Sequence, residues 1–335
     1  MSLPQWILVF AAAAAAVAWA GVQVARAGDE LAERAGLSRL FVGMLLVATA
    51  TSLPEVAVDV SAALGDAPDL AVGDLFGSSM ANMAILAVID LMGRERVWPT
   101  VEIGHARVAS VAIALTALAT LGVLTPPGVA IGWIGIVTVV IAAAYVAAVA
   151  WMRRSPVGRF GEGEVLPVPT GWAKPARGEL RPVVLRFALA TGVILVAGPV
   201  LARSGEEIAD ASGLGLTFVG TALIAVSTSL PELVASIAAV RIGAQDLAVG
   251  NLFGSNAFNM FALVIADAAY TPGPLLPAID PSQAVAGIGA ILLMALALAA
   301  IVHGAETRVR RLEPDAVLLL VAYAGALYAV WSVRP

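Results

Sequence analysis

The sequence predicts an all-α polytopic membrane protein, with ten transmembrane helices in two inverted five-helix repeats. Three observations carry this expectation. The 335 residues are 60% hydrophobic and 13% charged, with a mean hydropathy of +0.92, a balance foreign to soluble globular domains. Apolar stretches recur along the whole length, each long enough to cross about 30 Å of hydrocarbon as a helix. The segment from Phe41 to Met83 also returns without a gap from Phe218 to Met260, 177 positions later, with about half its positions identical.

The spans are expected at 5–26, 38–64, 70–92, 106–124, 128–152, 183–203, 215–241, 247–269, 282–303 and 315–333. The first is read as a retained helix, because Met1 to Gln5 carries no Lys or Arg and so lacks the basic start of a signal peptide. Long Ala/Val/Leu/Ile runs argue against a β-barrel, whose strands alternate with period two. The linker 153–182, rich in Gly, Pro and Arg, divides a first repeat at 1–152 from a second at 183–335. There are no cysteines, which excludes disulfide and thiolate chemistry.

Alternating the sides of these spans with the N-terminus outside puts 17 of the 19 basic residues inside, leaving only Arg203 and Arg334 outside. The positive-inside rule reads such a bias as orientation. Both termini are therefore expected to be non-cytoplasmic, in a cell (inner) membrane. Five spans per half is an odd number, so the second half must run upside down relative to the first.

The chemistry sits inside the repeat. In the second span Ala48, Thr51, Ser52 and Glu55 share one helical face, and Pro54 frees the carbonyl of Ala50. The seventh span repeats this with Ala225, Thr228, Ser229, Pro231 and Glu232. Irregular backbone at membrane depth survives only where protein buries it or a cavity bathes it. Carbonyls, hydroxyls and a carboxylate are hard oxygen donors, suited to Ca²⁺ and Na⁺. The third span adds Asp74, Ser78 and Asn82 on one stripe, and the eighth adds Asn251, Ser255 and Asn259, while Gly73, Gly77, Gly250 and Gly254 are expected to allow close helix approach.

A lone membrane hydroxyl usually bonds its own backbone, and a lone proline is usually just a kink. A lone glutamate often pairs with a buried Arg, but neither motif contains a Lys or Arg. Repetition of the whole set favours a functional site, since ionisable residues at this depth are costly. His105 and His303 fall near span ends and are expected to be interfacial. Asp90 and Asp267 are expected to cap or pair at helix ends.

TSLPE at 51–55 and 228–232, followed by GDLFGSSMAN at 73–82 and GNLFGSNAFN at 250–259, resembles the paired α-repeats of the cation/Ca²⁺ exchanger superfamily, and prokaryotic sodium/calcium exchangers most closely. The resemblance implies that Glu55 and Glu232 hold Ca²⁺ or Na⁺ and that carbonyls of Thr51 and Thr228 ligate Ca²⁺. It assigns Ser52, Ser229, Ser78 and Ser255, with carbonyls of Ala48 and Ala225, to flanking Na⁺ sites. Asn82 and Asn259 match the polar positions beside the glutamates, and spans one and six match the pair that slides to alternate access. The chain departs from that pattern at Ala50 and Ser227, where glycine is usual, and at Asn259, often Asp. It departs again at Asp74 and at Asp59, whose counterpart is Ser236. Asp59 and Asp74 are expected to face the cytoplasmic vestibule or to line the site, where they would change its charge and hence its ion stoichiometry.

The expected function is Na⁺/Ca²⁺ antiport by alternating access, with an H⁺-coupled Ca²⁺ or monovalent-cation antiporter as the alternative. A passive channel fits inverted repeats around buried carboxylates less well. No nucleophile–base pair or metal–histidine cluster suggests an enzyme. No cofactor is expected beyond transported Ca²⁺ and Na⁺ or H⁺, and the only partners implied are inorganic cations and the lipid bilayer.

Overall fold

A computed structural model describes residues 2–92, 104–126, 128–154, 179–211, 227–303 and 314–333. Among them nine helices are long and apolar enough to cross a membrane. They are α1 (Leu3–Ala35), α2 (Arg39–Leu64), α3 (Pro68–Met92), α4 (Gly104–Leu124), α5 (Ile136–Arg154), α6 (Leu180–Ala211), α8 (Gln245–Ala269), α9 (Gln283–His303) and α10 (Pro314–Ser332). The expected seventh span is represented by α7 (Leu230–Arg241). Its first half, with Ala225, lies outside the described residues, as do 155–178 of the linker.

Local sequence explains the ends. Ser2 and Gln5 close a capping box at the start of α1. Gly36 stops that helix in a left-handed conformation (φ 65°), and the N–H of Leu37 returns to the carbonyl of Ala32 at 2.9 Å. At 33 residues, α1 is about 50 Å long. The expected limit at 26 was too short because Arg26, Glu30 and Arg34 are good helix formers that continue the helix past the apolar stretch. The same reason extends α6 to Ala211 rather than 203.

The expected fifth span, 128–152, is corrected at its start. Ala130–Ile131 and Ile134–Gly135 form a small antiparallel hairpin that turns at Gly132 (φ 68°), and the helix begins only at Ile136. Asp267 holds this hairpin. Its carboxylate accepts from the backbone N–H of Gly135 (2.8 Å) and of Leu275 (2.6 Å), and from the Thr138 hydroxyl. The expected capping role of Asp267 is what the structure shows.

α2, α3, α7 and α8 form the centre, with α8 the most enclosed of the nine spans. The core is built from equivalent positions of the two repeats: Phe76 with Phe253, Leu75 with Leu252, and Met83 with Met260, all buried. α4, α9 and α10 cover one side of this core. On the other side α1 and α6 pack along each other and against α7 and α2. A Cβ added at Gly21 of α1 would come 3.1 Å from Val234 of α7, and one added at Gly198 of α6, 177 positions on, would come 2.5 Å from Pro54 of α2. Each long helix thus meets the proline-bearing helix of the opposite repeat through a glycine.

The expected role of the four motif glycines divides. Gly250 and Gly254 do permit backbone contact, because a Cβ there would reach the carbonyl oxygens of Leu40 (2.9 Å) and Met44 (2.3 Å). Gly73 would meet only the flexible side chain of Gln283, and no described atom lies within 4 Å of a Cβ at Gly77. Both line a cavity instead.

Candidate functional site

The two TSLPE copies adopt different backbones. In α2 the helix runs through the motif with Pro54 inside it, after a π-helical stretch at Val42–Val47. In the second copy the helix is interrupted at Ser229 and resumes at Leu230, so Pro231 and Glu232 fall in the first turn of α7. Proline suits a first turn, where its missing N–H costs nothing. A carboxylate there also gains from the helix dipole. Glu232 therefore sits at a helix N-terminus and Glu55 in a helix interior.

The site lies where α2, α3, α7 and α8 meet. Glu55 and Glu232 are both buried, at 1% and 0% exposure, and their carboxyls adjoin. Ser52 donates to Oε1 of Glu232 at 3.0 Å, and Ser78 to Oε1 of Glu55 at 3.2 Å. The first of these bonds crosses between repeats and the second stays within one. The Thr51 hydroxyl lies 3.2 Å from Oδ1 of Asn251, but it also lies within reach of the carbonyls of Val47 (3.1 Å) and Ala48 (3.2 Å). Ser229 and Thr228 are buried beside a cavity of about 570 Å³ that also touches Ser78.

Below the carboxylates a polar brace joins α3 to α8. Asn82 donates to Asn256 at 2.9 Å, and Asn259 donates to Ser79 at 3.4 Å. The two bonds join equivalent positions, 82 with 256 and 259 with 79. Asn82 and Asn259, expected beside the glutamates, thus spend their amide N–H groups on this brace. Ser79 and Asn256 went unassigned in the sequence, although both are polar residues in the middle of a buried span.

Among the described residues, five buried oxygens around this centre have no hydrogen-bond partner: Glu55 Oε2, Glu232 Oε2, Asn82 Oδ1, Asn259 Oδ1 and Ser255 Oγ. An unpaired carboxylate in such a place costs several kcal/mol. A hard cation satisfies oxygens of this kind, and they include donors from both repeats. Among the described residues no three Asp, Glu, His or Cys side chains form a metal cluster. The acids come instead as two pairs, Glu55 with Glu232 and Asp59 with Asp74.

One placement is corrected and one is filled in. His105 lies at the end of its span, as expected, and is buried there against protein, with Nε2 3.0 Å from Oδ1 of Asp246, because α8 begins beside the first turn of α4. The His303 side chain lies outside the described residues. Asp59 and Asp74 lie near the α2–α3 turn at residues 65–67, one membrane crossing away from Arg34 and Arg39 at the start of α2. They belong to the face opposite that basic cluster, not to a vestibule beside it.

The family described as Sodium/calcium exchanger protein matches residues 5–151 and 182–332. The putative antiporter CaxA of Alkalimonas amylolytica is 28% identical over 94% of this chain and 95% of its own length. The inner membrane protein YrbG of Escherichia coli K12 is 30% identical over 72% of this chain and 73% of its own. A solved structure of the sodium-calcium exchanger NCX_Mj superposes with a TM-score of 0.74 at 18% identity, over 99% of this chain and all of that one, a likeness of fold.

Proposed function

This chain belongs to the sodium/calcium exchanger family, a family of multi-pass membrane cation transporters and not of enzymes, and from that premise we propose that it exchanges Ca²⁺ for Na⁺ at a site between Glu55 and Glu232. The observation that carries this reading is the pair of adjoining buried carboxylates, each with one oxygen bonded by a serine and the other left unpaired. Two carboxylates give a local charge near −2, which one Ca²⁺ neutralises. Na⁺ ions replace it at the flanking hydroxyls and carbonyls of Ser52, Ser78, Ser229, Ser255, Thr51, Thr228, Ala48 and Ala225, with Asn82 and Asn259 offering amide oxygens. Mg²⁺ is disfavoured because it sheds water reluctantly and requires a smaller octahedral cage.

Ten spans as two inverted repeats supply the mechanism. α1 and α6 pack along each other and each approaches the opposite repeat closely at a glycine, and sliding of this pair across the four-helix core is the alternation of access in this reading. The cavity beside Ser78, Thr228 and Ser229 reaches Asp69 and Gln283 at the starts of α3 and α9, an approach from the non-cytoplasmic face in the expected orientation.

The test is ⁴⁵Ca²⁺ uptake into proteoliposomes. A Na⁺ gradient drives uptake at constant pH, whereas a pH gradient without Na⁺ does not. Uptake driven by the pH gradient alone would replace Na⁺ coupling with H⁺ coupling. Orientation is checked on the same cysteine-free background in cells. Glu179→Cys is labelled by an impermeant thiol reagent only from the cytoplasm and Ser332→Cys only from the opposite side. Labelling of both from one side would overturn the topology.

A further inference from the structure

We infer that Asp59 and Asp74 form a second site for a hard divalent cation, on the approach to the central pair. Their counterparts 177 positions on are Ser236 and Asn251, which close a neutral hydrogen bond of 3.0 Å from the Asn251 amide to the Ser236 hydroxyl. The fold therefore does not need acids here. The first repeat nevertheless places two carboxyls facing each other at these positions.

Asp59 is 1% exposed, and among the described residues neither of its oxygens has a hydrogen-bond partner outside the pair. Oδ2 of Asp74 has none either. Among the described residues no Lys or Arg forms an ion pair with either acid. Two like charges in contact repel unless a shared proton or a bound divalent cation offsets them. Ca²⁺ takes about six to eight oxygens, and water supplies those the protein lacks. Asp74 lines the 570 Å³ cavity, which brings water to the pair. The same cavity continues to Ser78, one helical turn from Asp74, as Glu55 is one turn from Asp59. An ion held by the two aspartates is thus one turn from the central carboxylates.

The inference rests on the reading of Glu55 and Glu232 as a Ca²⁺ site, and equilibrium ⁴⁵Ca²⁺ binding to the purified full chain without Na⁺ separates the two. The wild type binds two Ca²⁺ per chain. Asp59→Ser with Asp74→Asn, which installs the pair the second repeat already carries, binds one, and Glu55→Gln with Glu232→Gln also binds one. A wild type that binds a single Ca²⁺, as expected if the aspartates share only a proton, overturns the inference. So does an aspartate variant that still binds two. Two ions retained by the glutamate variant would overturn the central site while leaving this one standing. Should the double aspartate variant fail to purify as a monodisperse protein, Asp74→Asn alone decides: loss of one ion supports the site and retention of both overturns it.

Discussion

Glu55→Gln and Glu232→Gln are each expected to abolish Na⁺-driven Ca²⁺ uptake while the protein still inserts and purifies. Glutamine keeps the shape and can still accept from Ser78 or Ser52, so packing changes little. The negative charge is what is lost. Leaving one member of a buried charge set uncompensated costs about 3–5 kcal/mol. At about 1.4 kcal/mol per tenfold, the apparent Ca²⁺ affinity falls by roughly 100-fold or more. Uptake in proteoliposomes and ⁴⁵Ca²⁺ binding read the two effects separately. Wild-type uptake by either variant would refute the central site. The two substitutions are not expected to be equal: Glu232 sits in the first turn of α7, where the helix dipole favours an anion, and Glu55 does not.

The second large effect is on folding. Gly254→Ala places a methyl 2.3 Å from the carbonyl oxygen of Met44 and 2.5 Å from its Cα. The obstacle is backbone, so no rotamer change relieves it. Overpacking a well-filled core typically costs about 1–3 kcal/mol, and separating α2 from α8 disturbs both motif helices. The thermal midpoint of the detergent-solubilised protein should fall clearly for Gly254→Ala. It should stay near wild type for Gly77→Ala, its counterpart in α3, where no described atom lies within 4 Å of the added Cβ. Equal midpoints for the two variants would show that the close approach at Gly254 is not needed.

Most of the transmembrane plan was legible because lipid leaves few choices. A stretch of apolar residues in hydrocarbon must satisfy its backbone internally, so hydropathy fixes helices and their approximate ends. The described helices of spans two, three, four, eight, nine and ten begin and end within about two residues of the expected limits. The misses occurred where hydropathy stops being the deciding force. α1 and α6 continue as helices beyond the apolar stretch, and residues 130–135 turn into a hairpin because the carboxylate of Asp267 organises them from another helix. Such a bond spans 132 residues, and no local pattern announces it.

The site divides in the same way. The sequence by itself singled out the candidate residues: a glutamate, a proline and hydroxyls, repeated 177 positions apart with no Lys or Arg inside either motif, mark a polar centre in a membrane. Only the tertiary structure decided how those residues pair. It set Ser52 on the glutamate of the other repeat, Ser78 on that of its own, and Asn82 and Asn259 on a brace with Asn256 and Ser79. It also broke the second TSLPE helix at Ser229 while leaving the first continuous. Near-identical motifs ended in different settings because each packs against different neighbours. Periodicity states which face of a helix a residue occupies, and the register between helices, set by contacts such as Gly254 on Met44, states what it meets there.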